Sequence, residues 1–112
     1  MYKKLTLEQL REMNKNCTYF QVHDTEMACD NMGKLYRKMK SGFWKEIENK
    51  KNHIKGYNVI LVSKKQYSRS KLILYAQKKI LLEDKNVNIY HINGDRLDCH
   101  MENLTCDVIN RV

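Results

Sequence analysis

The sequence predicts a small α+β domain in which antiparallel hairpins alternate with short helices. Its 112 residues suffice for one modest core, and a composition of 42% hydrophobic and 30% charged residues is typical of a globular chain. Apolar residues recur at helical spacing in two segments, whereas other segments are short, rich in aromatic or β-branched residues and bounded by turn residues. We expect one compact unit, with a helical lead-in over residues 1–24 and the main domain over residues 25–112.

The first element is predicted to be a helix over residues 6–14. Thr6 and Gln9 have the spacing of a capping box, in which each side chain bonds the backbone N–H of the other residue. The residues that then share an apolar face are Leu7, Leu10 and Met13.

Strands dominate the middle of the chain. The segments 35–38 and 43–47 are predicted to pair across a turn at Ser41 and Gly42. A further strand is expected after Gly56. Its two alternating faces would carry Tyr57, Val59 and Leu61 on one side and Asn58, Ile60 and Val62 on the other.

A helix, a strand and a short closing helix are expected in the last third of the chain. The helix spans about residues 69–80, because its apolar residues form one stripe while its lysines stay in water. Its stripe consists of Leu72, Ile73, Ala76 and Ile80, and its lysines are Lys71, Lys78 and Lys79. The strand covers "NVNIYH" and leads into the turn "INGD". The short helix is expected at the end of the segment "MENLTCDVINRV".

Positive charge is concentrated in the middle of the chain. The net charge is +8, with eight basic and two acidic residues over 33–56 and seven basic and two acidic residues over 64–85. Such a surplus attracts polyanions by counterion release and favours nucleic acid as a partner over a merely solvated lysine surface. The residues predicted to contact phosphates are Arg37, Lys38, Lys40, Lys45, Lys64, Lys65, Arg69, Lys71 and Arg96.

The four cysteines do not form the pattern of a disulfide framework. With no apolar run long enough for a membrane span or a signal peptide, we expect an intracellular protein with reduced thiols. These thiols are either buried or metal ligands. The zinc alternative combines Cys99, His100 and Cys106 with Cys29 or Cys17.

One stretch near the C-terminus, "YHINGDRLDCHMENL", resembles the core of HNH nucleases, the His-Me finger group, and in particular the small homing-endonuclease type of phages and large DNA viruses. The segments "DNMGKLYR" and "KGYNVILVSKKQYSRSKLILYA" resemble the pieces that precede such cores, in the same order, so that the resemblance covers about residues 25–110. The matching positions are His91, Ile92, Asn93, Gly94, Glu102, Asn103 and Leu104.

The resemblance implies a C-terminal ββα-metal core that binds double-stranded DNA and hydrolyses a phosphodiester bond with Mg²⁺ or Mn²⁺. His91 would be the general base, since an imidazole titrates near neutral pH. Asn103 would hydrogen-bond across the loop and help to orient the imidazole. Gly94 would allow a sharp turn beside the histidine.

The metal ligands of the family are only partly present. The carboxylate that precedes the histidine in the family is replaced by Tyr90, and a neutral phenol is a poor Mg²⁺ ligand. Asn110 and Asp107 are the candidate substitutes. Asp95 and Asp98 could also replace the missing ligand, but for all three aspartates a role as a turn or cap residue is favoured.

These observations leave three functions open. The first is a DNA endonuclease of the HNH type, and the second is a DNA-binding or regulatory module that keeps the fold but has lost hydrolysis. The third is a zinc-stabilised interaction domain.

Overall fold

The computed structural model describes residues 5–13, 17–48, 56–83 and 87–108, which form a mixed α+β domain with antiparallel sheets. Helix α1 precedes a four-stranded sheet, a two-stranded hairpin, helix α2 and a second hairpin with a 3₁₀ turn between its strands. The elements are α1 Leu7–Met13, β1 Thr18–Val22, β2 Thr25–Cys29, β3 Leu35–Lys38, β4 Trp44–Glu46, β5 Val59–Val62, β6 Lys65–Ser68, α2 Arg69–Ala76, β7 Val87–His91, the 3₁₀ turn Met101–Asn103 and β8 Leu104–Val108. No helix in these segments has the length and apolarity needed to cross a membrane.

The start of α1 confirms the predicted capping box. The N–H of Thr6 donates to Oε1 of Gln9 at 2.9 Å, and the N–H of Gln9 donates to Oγ1 of Thr6 at 3.2 Å. These two bonds satisfy backbone donors that have no partner inside the helix.

The four-stranded sheet is buried on both faces. Met27 and Leu35 belong to the larger core cluster, whereas Ala28 and Tyr36, which alternate with them along β2 and β3, belong to the smaller cluster. The smaller cluster also contains Leu10 of α1, so α1 covers one face of the sheet. The other face packs against α2 and the two hairpins.

The lead-in is part of this sheet. β1 pairs with β2 along its whole length, from Thr18 opposite Cys29 to Val22 opposite Thr25. Leu5 forms an antiparallel bridge with Trp44 at the opposite edge. Residue 24, where the predicted lead-in ends, lies in the turn of the β1–β2 hairpin.

Helix α2 forms where the sequence predicts it but ends four residues earlier. Ser68 caps its first turn, because its hydroxyl accepts the N–H of Lys71 at 3.1 Å. The helix ends at Ala76, and Lys78 then adopts the left-handed conformation with φ of 62°. The N–H of Lys78 donates to the carbonyl of Tyr75 at 2.9 Å, which closes the end in a Schellman-like turn. The four residues of the predicted stripe are all buried.

The β5–β6 hairpin is only half predicted from the sequence. β5 was expected, but its partner strand follows a two-residue turn, Ser63–Lys64, whose residues both have positive φ, at 49° and 68°. Such turns usually contain Asn or Gly. Because Ser63 and Lys64 are neither, the sequence did not indicate a hairpin here.

The C-terminal hairpin corrects the expected short helix. β7 covers Val87–His91, close to the prediction, but Leu104–Val108 forms an antiparallel strand opposite it. Leu104 is buried whereas Thr105 and Asp107 are exposed, and this alternation is the two-residue period of a strand. A helix that would complete a ββα core would follow β8, outside the described residues.

Candidate functional site

A cleft of about 550 Å³ lies between the β5–β6 hairpin, the start of α2 and the β7–β8 hairpin. Its lining includes His91 with two cationic side chains, Lys71 and Arg96. The remaining lining residues are Tyr57, Val59, Gln66, Tyr67, Ser68, Ser70 and Ile89.

His91 is the last residue of β7 and is half-buried in this cleft. Its burial lowers the pKa of the imidazole below the usual value of 6.5, and the nearby charge of Arg96 acts in the same direction. The carboxylates of Asp95 and Asp98 oppose this shift. The lowered pKa keeps the ring neutral at pH 7, which is the form that can accept a proton.

The ring of His91 is held by a serine that the sequence analysis missed. Nε2 of His91 lies 2.7 Å from Oγ of Ser70, the second residue of α2, and Ser70 is only 3% exposed. The same hydroxyl lies 3.3 Å from Sγ of Cys99. The three groups therefore form a short hydrogen-bonded chain that links α2 to the β7–β8 loop.

Whether His91 can act as a base depends on which group donates and which accepts in the hydrogen bond between His91 and Ser70. When Nε2 carries the proton and donates to Ser70, Nδ1 has a free lone pair. When Ser70 donates to Nε2 instead, the proton of the neutral ring is on Nδ1 and no lone pair is available. The Ser70 hydroxyl is the hydrogen-bond partner of the ring among the described residues, and a hydroxyl can fill either role, so action of His91 as a base requires Ser70 to accept the proton of Nε2.

Asn103 makes the cross-loop hydrogen bonds expected from the resemblance. Its Oδ1 accepts the N–H of Asn93 at 2.9 Å, and its Nδ2 donates to Oδ1 of Asn93 at 3.0 Å and to the carbonyl of Asp98 at 2.8 Å. Its carbonyl accepts the N–H of Ile92 at 2.9 Å. Asn103 thus fixes the backbone that follows His91, while the ring itself is held by Ser70.

The other polar loop residues have structural roles. Oδ1 of Asp95 accepts the N–H of Leu97 at 2.9 Å. Asp98 accepts a hydrogen bond from Nδ2 of Asn93 at 2.7 Å and makes a short contact with Nδ1 of His100. These hydrogen bonds lower the pKa of the Asp98 carboxyl group, and the bond to His100 has the largest effect. Both aspartates therefore shape the turn, as the sequence suggested.

Arg69 is not a surface cation, contrary to the sequence prediction. Its guanidinium donates to Oδ1 of Asn58 at 3.0 Å, to the carbonyl of Gly33 at 3.0 Å and to the carbonyl of Ile47 at 2.8 Å. Burial lowers its pKa. Because the planar guanidinium group of Arg69 joins three segments of the protein, we remove Arg69 from the set of phosphate contacts.

The other predicted phosphate contacts differ in their surroundings. Arg37 is half-buried, and its Nη2 donates to the carbonyl of Leu61 at 3.3 Å. Lys38 forms an ion pair with Glu26 at 3.2 Å. Lys45 is half-buried, and the exposed lysines are Lys40, Lys64 and Lys65. Only Lys71 and Arg96 share the cleft with His91.

The donors around His91 do not fit a divalent cation. Within the described part of the chain, the lining of the cleft includes no carboxylate. His91 is paired with Leu104, and Asp107 lies three residues further along β8. Because side chains alternate along a strand, the side chain of Asp107 projects from the face of the hairpin opposite His91. Tyr90 lies on that face too, and Asn110 falls outside the described residues.

The zinc candidates are likewise not assembled. Cys29 and Cys99 are buried, Cys106 is half-buried and His100 contacts Asp98. Burial raises the pKa of Cys29 to about 12 and also raises the pKa of Cys99, so their thiols remain protonated at neutral pH. Among residues 5–13, 17–48, 56–83 and 87–108, no three His, Cys, Asp or Glu side chains form a group that could hold a metal ion.

The resemblance to HNH nucleases therefore remains a prediction from the sequence, with the histidine, the cross-loop asparagine and the hairpin as its structural counterparts. No protein-family model, curated protein or solved structure matches the chain.

Proposed function

We propose that this protein binds DNA and hydrolyses a phosphodiester bond in the His91 cleft, as a small nuclease of the HNH type. The observation that carries the proposal is a neutral, half-buried imidazole held 2.7 Å from Ser70, in a cleft that it shares with Lys71 and Arg96. A base near neutral pH beside two cations is suited to hydrolysis of an anionic ester.

In the proposed reaction Nδ1 of His91 removes a proton from a water molecule whose oxygen attacks phosphorus. The P–O bond to the departing oxygen breaks, and that oxygen takes its proton from solvent. Lys71 and Arg96 offset the negative charge that develops on the phosphate oxygens. A positioned base contributes about 10²- to 10⁴-fold in rate, so loss of His91 should remove most of the activity.

Nicking of supercoiled plasmid tests this proposal. The protein is incubated with Mg²⁺, with Mn²⁺ or with EDTA, beside the variants His91→Gln and His100→Gln. We expect nicking by the wild type and by His100→Gln, and a loss of at least 100-fold in His91→Gln. Equal activity in both variants would remove His91 from the role of base.

A second candidate is a DNA-binding module that keeps this architecture without hydrolysis. It is favoured by the lining of the cleft, which lacks a carboxylate among the described residues, and by the position of Tyr90 on the other face of the hairpin. Salt-sensitive DNA binding with no nicking under any of the three conditions would support it. Absence of both binding and nicking at low salt would contradict both candidates.

A further inference from the structure

The cleft contains groups that a phosphate alone would not require. Tyr57 contributes an aromatic ring, Gln66 contributes an amide, and Val59 and Ile89 contribute apolar surface. Phosphates are bound by cations and N–H donors, which Lys71 and Arg96 supply. Aromatic and apolar surface together with an amide is instead the chemistry that binds a nucleobase.

We propose that this part of the cleft is a subsite for one unpaired nucleobase, so that the strand engaged at His91 is locally single-stranded. The inference rests on the proposed function and deepens it by naming the form of the substrate. The base would stack on Tyr57 and present its edge to Gln66, while Lys71 and Arg96 hold the adjoining phosphate.

The size of the cleft supports an unpaired base. A volume of about 550 Å³ lies within the roughly 300–1,000 Å³ of pockets that enclose small ligands. Such a space can enclose one or two nucleotides, whereas a double helix can only lie across its mouth. A base inside it must therefore come from a single strand or be rotated out of a duplex.

Tyr67 also borders the cleft, but its ring projects from the other face of the β5–β6 hairpin. Tyr67 is paired with the buried Ile60, whereas Gln66 is paired with the exposed Leu61, and neighbouring residues of a strand project from opposite faces. Oη of Tyr67 lies 2.6 Å from Nε2 of His23, so this residue joins β6 to the β1–β2 turn. The stacking surface is therefore assigned to Tyr57.

The test compares two ligands of equal charge, both ten nucleotides long: oligothymidylate and an abasic oligonucleotide with the same phosphates. Binding is measured by fluorescence anisotropy in EDTA, and gel electrophoresis of the recovered oligonucleotides verifies that they stay intact. We expect the oligothymidylate to bind about 5- to 150-fold more tightly, because only it offers a base to stack. Equal affinity for the two ligands would overturn the proposal without any variant being made.

Variants then locate the subsite. Tyr57→Ala should reduce the preference for oligothymidylate at least fivefold, whereas Tyr57→Phe, which keeps the ring, should retain most of it. The matched control is Tyr90→Ala, which removes a tyrosine that is 46% exposed on the opposite face of β7. An effect of Tyr90→Ala as large as that of Tyr57→Ala would contradict this location of the subsite.

These outcomes are separate from those of the nicking assay. If the base preference is present but nicking is absent, the subsite stands and hydrolysis fails. If nicking depends on His91 but the two ligands bind equally, hydrolysis stands and the base subsite fails.

Discussion

His91 occupies a position where its protonation affects both chemistry and stability. It is held by a buried hydroxyl on one side and lines an open cleft on the other. The environment that makes it a neutral base also makes protonation of the folded protein unfavourable.

We predict that His91 titrates below pH 6.5 in the folded protein, because burial disfavours its charged form. The folded pKa lies below the unfolded one, so the contribution of His91 to stability is complete above pH 6.5 and is lost as the pH falls through the folded pKa. NMR titration of the ring signals gives the pKa, and thermal unfolding between pH 7.5 and 5 gives the stability. The wild type should lose more stability on acidification than His91→Gln does, and a pKa at or above 6.5 would contradict the prediction.

Ser70 is predicted to position the His91 ring. Ser70→Ala should lower the nicking rate about tenfold and change the ¹⁵N shifts of the ring nitrogens, because Nε2 loses its hydrogen-bond partner. The hydrogen bond itself should contribute about 1 kcal/mol to the free energy of unfolding.

Ser68→Ala is the matched control for this change. It removes a hydroxyl two residues away, which accepts the N–H of Lys71 as the N-cap of α2. This hydroxyl also contributes about 1 kcal/mol to the free energy of unfolding. The two variants should be similarly destabilised, but only Ser70→Ala should alter the ring signals of His91. Identical ring signals in both variants would leave Ser70 with a purely structural role.

At the scale of the elements, the loop that follows His91 depends on the turn between β2 and β3. The carbonyl of Asn31 accepts the N–H of Met101 at 3.0 Å. A Cβ atom placed on Gly33 would lie 2.7 Å from the carbonyl oxygen of Cys99. This close contact sets the position of Cys99, whose sulfur lies against the Ser70 hydroxyl.

Gly33→Ala is therefore predicted to be much more destabilising than Gly42→Ala. Both glycines have a φ of 90°, so both substitutions carry the same penalty of roughly 1–2 kcal/mol for a left-handed residue. Nothing lies within 4 Å of a Cβ on Gly42, whereas Gly33→Ala adds a backbone clash that should cost about 1–3 kcal/mol more. Chemical denaturation measures the difference, and equal free energies of unfolding would contradict the predicted role of Gly33.

At the scale of the whole molecule, the positive charge serves two purposes. Some basic residues remain exposed or line the cleft, where they can meet a polyanion. Arg69 instead joins the four-stranded sheet to α2 and the β5 region through its three acceptors. A formal net charge of +8 therefore overstates the charge available for binding.

We predict that Lys71→Ala and Arg96→Ala each reduce the slope of log K against log salt for duplex DNA by roughly 0.9, because each removes one phosphate contact. Arg69→Gln should leave the slope unchanged, because three acceptors inside the protein engage its guanidinium, but it should lower the free energy of unfolding by about 2–4 kcal/mol. Binding isotherms at several salt concentrations and denaturation curves measure the two effects. A reduced slope in Arg69→Gln would restore Arg69 to the phosphate contacts.

The sequence by itself determined the features that depend on neighbouring residues. The capping box of α1, the turn at Ser41 and Gly42, the apolar stripe of α2 and the strand that ends at His91 all follow from signals within a few positions. The cross-loop role of Asn103 was also foreseen, through the resemblance, across ten residues.

The tertiary structure decided the contacts that join distant segments. Ser70 and His91 are 21 residues apart in the chain, and Arg69 and Gly33 are 36 apart, so no local pattern indicates either pair. The left-handed residues Lys64 and Lys78 were hidden for a related reason, because the pairing of β5 with β6 and the hydrogen bonds that close α2 fix a backbone conformation that lysine disfavours by itself. Local spacing thus specified the elements, whereas the groups that hold and surround His91 were set by the packing of those elements against one another.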